Sequence, residues 1–263
     1  MRLRTDSLRK RYADFELSLP NLQVASGTAF GLVGNNGAGK TTFLRLVLDL
    51  VRADEGAVRL DGEVVADTFD WKTRTGSYLG PSFLIDFLTP DEYWHFVGQT
   101  YELSEDTIDE RLAQFEDFYV DEPIGETTKY IRDLSTGNQN KAGLIAALLP
   151  EPDLLVFDEP FASLDPRSQI QLKELLQERR GDTTMLISSH DLGHVTDVSD
   201  RIAILDDGEI VRREPTDPDT LEALTDYFTE TIRPGEEEGA AAETGSPPAP
   251  DDDRPAEASR STT

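Results

Sequence analysis

Residues Gly34-Asn35-Asn36-Gly37-Ala38-Gly39-Lys40-Thr41, with Thr42 directly behind them, fit the spacing G-x-x-x-x-G-K-[ST]. Glycines so placed let backbone N–H groups curl around a phosphate at a helix N-terminus, where the dipole adds to anion binding. The lysine then bridges β- and γ-phosphates, and the Thr41 hydroxyl is an oxygen ligand for Mg²⁺. The flanking context agrees. Ala29-Phe30-Gly31-Leu32-Val33 reads as a short buried strand, and Phe43, Leu44, Leu46, Val47, Leu48, Leu50 and Val51 recur at helical spacing. The implied chemistry is binding of a nucleoside triphosphate. Such a loop needs an acid on a neighbouring strand. Leu154-Leu155-Val156-Phe157-Asp158-Glu159 supplies four apolar residues and then two carboxylates at a strand's C-terminal end, where ligands collect in open α/β sheets. Asp158 is the candidate to hold Mg²⁺, directly or through water. Glu159 is the candidate general base for an attacking water.

About 20 residues before that acid pair stands Leu134-Ser135-Thr136-Gly137-Asn138. It resembles the signature motif of ATP-binding-cassette (ABC) ATPases, and further motifs fall in that family's order across about residues 1–215. The resemblance places Tyr12 as an aromatic stacking on adenine; taken alone, the same residue reads as a half-buried packing aromatic. Ser163-Leu164-Asp165 resembles the D-loop, which makes Asp165 a nucleotide-site residue. His190 resembles the switch histidine that contacts the γ-phosphate. Ser135 and Gly137 can hold a γ-phosphate at a helix N-terminus, though an ordinary N-cap has the same local geometry and both readings of Ser135 stay open. His95 and His194 match no motif and read as structural. The implied cofactors are ATP and Mg²⁺. Two departures stand out. Thr136 and Asn138 replace a usual Gly and Gln but keep Ser135 and Gly137. The family also carries a glutamine between the core and its helical insert, and counting without gaps puts Gly80 there, with no glutamine from Gln23 to Gln99. The expectation is slow, residual hydrolysis carried by Lys40, Asp158, Glu159 and His190.

These residues must be positioned by an α/β core, and apolar runs alternate with helical patterns accordingly. Strands are expected at 29–33, 57–60, 154–157, 185–187, 201–205 and 209–211, with hairpins at Asp61-Gly62 and Asp206-Asp207-Gly208. Strand signals stop between about Gly80 and Pro150, where 93–101, 108–119 and 136–149 read as helices. The expected fold is α/β, with the resemblance implying a P-loop NTPase core: a mostly parallel sheet with an antiparallel β edge and an inserted helical subdomain over about 80–150. Residues 1–232 would form this nucleotide-binding domain. Residues 233–263 read as an acidic, disordered tail, too poor in apolar residues to offset its ordering entropy.

The chain of 263 residues carries 52 Asp plus Glu against 25 Lys plus Arg, a net charge of −27. Residues 234–263 account for −6 of it, so the remainder is itself strongly acidic. Such a field disfavours nucleic acid as a partner. It suits a salt-rich cytoplasm, where repulsion is screened within roughly 3 Å at molar salt, or simply an acidic protein. The absence of cysteine excludes disulfides and thiolate sites. The longest apolar run, Leu144–Leu149, falls far short of the roughly 20 residues that span a bilayer, so the chain reads as soluble and intracellular. In the family's arrangement the phosphate loop of one cassette faces the signature of another. One loop and one signature therefore imply a homo- or heterodimer that sandwiches ATP. The leading expectation is the cytoplasmic ATPase subunit of a transporter, peripheral on the inner face of the membrane and bound to a separate membrane-spanning permease. Exposed members of the group Phe83, Phe87, Tyr93, Trp94 and Phe96 would serve docking. The alternatives are a soluble cassette ATPase that remodels ribosomes or nucleic-acid complexes, or the catalytically weak half of a heterodimer. About 93 residues separate Thr41 from Leu134, too few for the long insert of the soluble class.

Overall fold

A computed structural model of the chain describes residues 1–120, 122–217, 220 and 224. The tail expected over 233–263 and the end of the domain expected to reach 232 lie outside the described residues. Strands β1 (Leu3–Tyr12) and β2 (Phe15–Leu19) form an antiparallel hairpin that pairs Leu8 with Leu19 and Tyr12 with Phe15. Leu17 and Leu19 turn inward with the period of two that a half-buried strand requires, while in β1 Leu3 and Thr5 keep that period and a bulge between Asp6 and Arg9 shifts the next inward residue to Leu8. After the short β3 (Gln23–Val24), all five residues of β4 (Ala29–Val33) are buried, as in a strand covered on both faces. The phosphate-loop motif follows, then α1 (Lys40–Val47). Next come β5 (Glu55–Leu60), β6 (Glu63–Val64) and β7 (Thr75–Tyr78). Helices α2 (Pro90–Thr100), α3 (Glu105–Leu112) and α4 (Thr136–Leu148) fill the stretch expected to be helical. The core resumes with β8 (Leu154–Asp158), α5 (Pro166–Gln177), β9 (Thr184–Ser189), α6 (Leu192–Val198), β10 (Arg201–Asp206) and β11 (Glu209–Pro215).

All of these strands join one sheet in the order β6-β5-β1-β2-β11-β10-β4-β9-β8-β7, with β3 beside β1. From β10 to β7 every pairing is parallel. The antiparallel part, expected as an edge, is a broad wing made of β1, β2, β3, β5 and β6. Each expected strand lies within or overlaps an observed one. The first helix ends earlier than its apolar pattern, because Asp49 takes a left-handed φ of 54°. The second insert helix stops at Leu112 and passes into a 3₁₀ turn at Ala113–Phe115.

The alternation along the central strands decides which side chains face α1. Leu154 and Val156 of β8 and Leu186 of β9 pack with Phe43, Leu44 and Val47 of α1. Leu155, Phe157, Met185 and Ile187 point to the opposite face, among residues of α4 and α5. By that parity Asp158 and Ser188, the next even positions, fall on the α1 side.

The helical insert is anchored by Trp94. Its side chain is fully buried, its indole N–H donates to the Ala142 carbonyl at 2.9 Å, and it meets Tyr119 edge to face at 5.1 Å between ring centroids. Phe83, Phe87 and Phe96 are instead exposed, and Tyr93 is partly buried against the same cluster. The aromatic group therefore divides into one core anchor and a surface subset. Trp94→Ala is expected to cost about 3–5 kcal/mol, and Phe87→Ala no more than about 0.5 kcal/mol. Urea denaturation of the two variants distinguishes a core anchor from a surface ring.

Candidate functional site

The loop between β4 and α1 ends at Gly39, whose φ of 105° favours glycine. A Cβ there would also come within 2.8 Å of Phe15 Cζ. The loop thus rests directly on the β1–β2 hairpin. Lys40, at the start of α1, is 6% exposed; its ammonium donates to the Gly34 carbonyl at 2.6 Å and to that of Asn35 at 3.4 Å. One residue later, Thr41 Oγ1 donates to Asp158 Oδ2 at 2.5 Å. The other oxygen of that carboxylate accepts a hydrogen bond from Ser188 Oγ. Helix α1, β8 and β9 therefore meet at one carboxylate.

Glu159 leaves β8 with φ of 49°, a left-handed conformation uncommon for a side chain of its size. Its N–H reaches Ser188 Oγ at 3.1 Å and the Ser188 carbonyl at 3.2 Å. Glu159 Oε2 accepts from the His190 N–H at 3.2 Å and lies 2.9 Å from His190 Nδ1. An ionised carboxylate only accepts, so that contact places a proton on Nδ1. Glu159 Oε1 is buried without a hydrogen bond and faces Lys40 Nζ at 3.4 Å.

A cavity of about 210 Å³ is lined by Asn35, Asn36, Gly37, Gly39, Lys40, Thr41, Thr42, Asp158, Glu159 and Phe15. Gly34 and Ala38 belong to the motif but support it from behind: Gly34 through its carbonyl to Lys40, Ala38 within the core at 5% exposure. Phe15 also lines a larger groove of about 640 Å³, whose walls include Tyr12, Arg11, Asp14, Glu16, Asp206, Asp207 and Glu209. Tyr12 is 48% exposed, with its ring 6.4 Å from that of Phe15. Lys10 Nζ lies 5.6 Å from the centroid of the same ring, so this half-buried position is compatible with packing as well as with stacking.

Ser135, Gly137 and Asp165 line neither cavity. Ser135 caps α4, accepting from Asn138 N–H at 3.4 Å, and is itself exposed. Asp165 caps α5, and hydrogen bonds from the Ser168 side chain and backbone hold its carboxyl down to about 2. The two caps belong to neighbouring segments, since the Asn140 side-chain amide donates to the Ala162 carbonyl at 2.6 Å. The site residues read from sequence thus divide into a loop-and-acid group and a helix-cap group. His194 stacks on Phe161 at 4.8 Å, and His95 contacts the Asp91 carbonyl and Asp109. Two residues of the site, Phe15 and Ser188, were missed by motif reading. The Ser188-Ser189-His190 run was the available signal for Ser188; Phe15 emerges only once the hairpin register is known.

The donor set suits a hard cation. Among the described residues no three His, Cys, Asp or Glu side chains gather to hold a metal. One carboxylate beside one hydroxyl, next to a phosphate cradle, is how Mg²⁺ is usually held, the remaining positions going to phosphate and water. The buried Glu159 Oε1, without a hydrogen bond, has the Lys40 ammonium at 3.4 Å as its ion-pair partner.

The chain is similar to known proteins over most of its length. Residues 17–162 match the family model described as ABC transporter. An uncharacterized ABC transporter ATP-binding protein of Synechocystis is 32% identical over 192 residues, 73% of this chain and 54% of that protein. The chain thus spans about half the length of that relative. The daunorubicin resistance ATP-binding protein DrrA3 of Streptomyces coeruleorubidus is 30% identical over 244 residues, 90% of this chain and 75% of that one. A solved structure of an ATP binding subunit of an ABC transporter matches with a TM-score of 0.75 at 24% identity, over 88% of this chain and 96% of that one, a likeness of fold.

Gly80, two residues beyond β7, has φ 109° and ψ 168°, a region occupied essentially by glycine alone. A Cβ there would meet nothing within 4 Å. Backbone conformation, not space, therefore opposes a side chain. Gly80→Ala and Gly80→Gln are expected to lose a similar amount, about 1–3 kcal/mol each. Denaturant titration checks this, and a glutamine variant as stable as the native chain would show that the loop accepts it.

Proposed function

The chain belongs to the ABC transporter family, and from that membership and the site's geometry we propose that it binds and hydrolyses ATP to power a separate membrane-spanning permease. The observation that carries the reading is the Thr41–Asp158 hydrogen bond at 2.5 Å, which closes the phosphate-loop helix onto the acid strand beside Lys40 and Glu159. On this reading the loop amides of Asn35 to Thr42 and Lys40 take the β- and γ-phosphates. Thr41 and Asp158 would hold Mg²⁺, which when bound would neutralise charge developing on the phosphates. Glu159 orients and deprotonates the attacking water, and His190, hydrogen-bonded to it, steadies the carboxylate and meets the γ-phosphate. Tyr12 and Phe15 receive the adenine. To engage, Lys40 must exchange its carbonyl partners for phosphate oxygens, the stronger acceptors.

The exposed caps supply the other half of the proposal. Ser135, Gly137 and Asp165 stand apart from the phosphate cavity, which supports a reading in which they complete the site of a second cassette, in a homo- or heterodimer. The domain proposed is 1–232, its helical insert over about 80–150, followed by the acidic segment 233–263. No helix among the described residues is long and apolar enough to cross a membrane. On the proposed reading, attachment to the inner face runs through the permease, with the exposed Phe83, Phe87 and Phe96 as docking residues. Gly80 favours a second reading, a weak site that depends on a stronger partner cassette.

Two experiments decide. Purified chain is assayed for Mg²⁺-dependent ATP turnover beside Glu159→Gln, which is expected to keep ATP binding and lose about 10²–10⁴-fold in rate. A native rate no higher than that of Glu159→Gln establishes the weak-site reading instead. Co-purification in mild detergent is expected to recover a polytopic membrane protein in stoichiometric amount; recovery with ribosomes alone defeats the transport role.

A further inference from the structure

The strand parity that turns Asp158 toward α1 turns Ser188 the same way. Ser188 is fully buried in β9, flanked across the sheet by Leu32 of β4 and Asp158 of β8. A serine hydroxyl has one proton to give and two lone pairs to receive with. Here the proton goes to Asp158 Oδ1, and the oxygen receives the Glu159 N–H at 3.1 Å. One atom is therefore bonded to both members of the acid pair.

Each bond has a distinct consequence. With Ser188 on Oδ1 and Thr41 on Oδ2, both oxygens of the Asp158 carboxylate are fixed, and Oδ2 is aimed at the first turn of α1. The bond to the Glu159 N–H supports a backbone held at φ 49°, and that backbone sends the side chain between Lys40 and His190. Without the hydroxyl, Asp158 Oδ1 loses its buried donor and the carboxylate is free to rotate away from Thr41. Glu159 N–H would keep only the longer contact to the Ser188 carbonyl at 3.2 Å.

We propose that Ser188 is a positioning residue of the site, whose hydroxyl orients Asp158 for Mg²⁺ and braces the backbone of Glu159. This rests on the reading of the site as one for Mg²⁺ and ATP. Groups that orient a metal-binding side chain typically govern 10–100-fold in metal affinity. A residue that merely fills the core would govern stability instead.

The test uses the full chain and a non-hydrolysable ATP analogue, its affinity measured by calorimetry with Mg²⁺ and again with EDTA. Ser188→Ala is expected to lose about tenfold of the affinity gained from Mg²⁺, with the EDTA value unchanged. Ser188→Thr, which keeps the hydroxyl, is expected to retain that gain. Thermal melting of both variants, run alongside, reports that each is folded. The proposal is overturned if Ser188→Ala keeps the full Mg²⁺ gain and only melts earlier, or if folded Ser188→Thr loses the gain as completely as Ser188→Ala. Absence of analogue binding by the unmodified chain, with and without Mg²⁺, overturns the ATP reading itself.

Discussion

A single carboxylate, shared by two hydroxyls, ties the centre of this molecule together. Asp158 receives Thr41 from the helix behind the glycine-rich loop and Ser188 from the adjoining strand. The loop can cradle an anion only if its helix is held against the sheet at the right height, and the acid can serve a cation only if it faces that helix. One set of hydrogen bonds does both. Its existence depends on register: β8 and β9 run parallel with Asp158 opposite Ser188, and β4 lies on the other side of β9 with Val33 opposite Ser189. A slip of one residue in either pairing would send these side chains to the opposite face of the sheet, among the apolar residues packed against α4 and α5.

What could be read from the chain without its fold follows from how local each signal is. The phosphate loop and the acid pair are contiguous, and their flanking apolar runs already announce a strand entering a turn and a strand ending in carboxylates. The caps at Ser135 and Asp165 are similarly local, a polar residue before a helical run. Phe15 was not legible, because its position beneath Gly39 and beside Tyr12 comes from the two-residue turn joining β1 to β2 and from contact with a loop more than twenty residues later. Within the antiparallel wing, expected as an edge with a strand at 57–60, strand β1 itself was not legible for a related reason. β1 is rich in arginine and carries a bulge between Asp6 and Arg9, which interrupts the alternation that would have marked it as a strand. Nor does composition separate Trp94 from Phe87. One is held by an indole hydrogen bond within the insert and the other stands in solvent, a difference that only tertiary packing creates.

The charge of the chain sharpens how a nucleotide would lie. A protein of net charge −27 must still attract an anion, so the attraction has to be local. At the loop it comes from Lys40, from the amides ahead of α1 and from the helix dipole. The nearby acids are already engaged there: Asp158 by two hydroxyls, Glu159 by Lys40 and His190. The adjoining groove beside Tyr12 is different. Asp14, Glu16, Asp206, Asp207 and Glu209 line it, and Arg11 is partly spent in ion pairs with Glu16 and Glu55. Phosphate placed in that groove would be repelled, whereas an uncharged aromatic base stacked on Tyr12 would bear little of the cost, and its amino donor and the hydroxyls of its sugar would find acceptors. The two cavities share Phe15, so on the proposed reading their opposite electrostatics would favour a nucleotide with its base over the hairpin and its phosphates in the loop. Salt weakens the repulsion from the rim more than the close contacts in the loop, so the proposed orientation would persist in concentrated electrolyte.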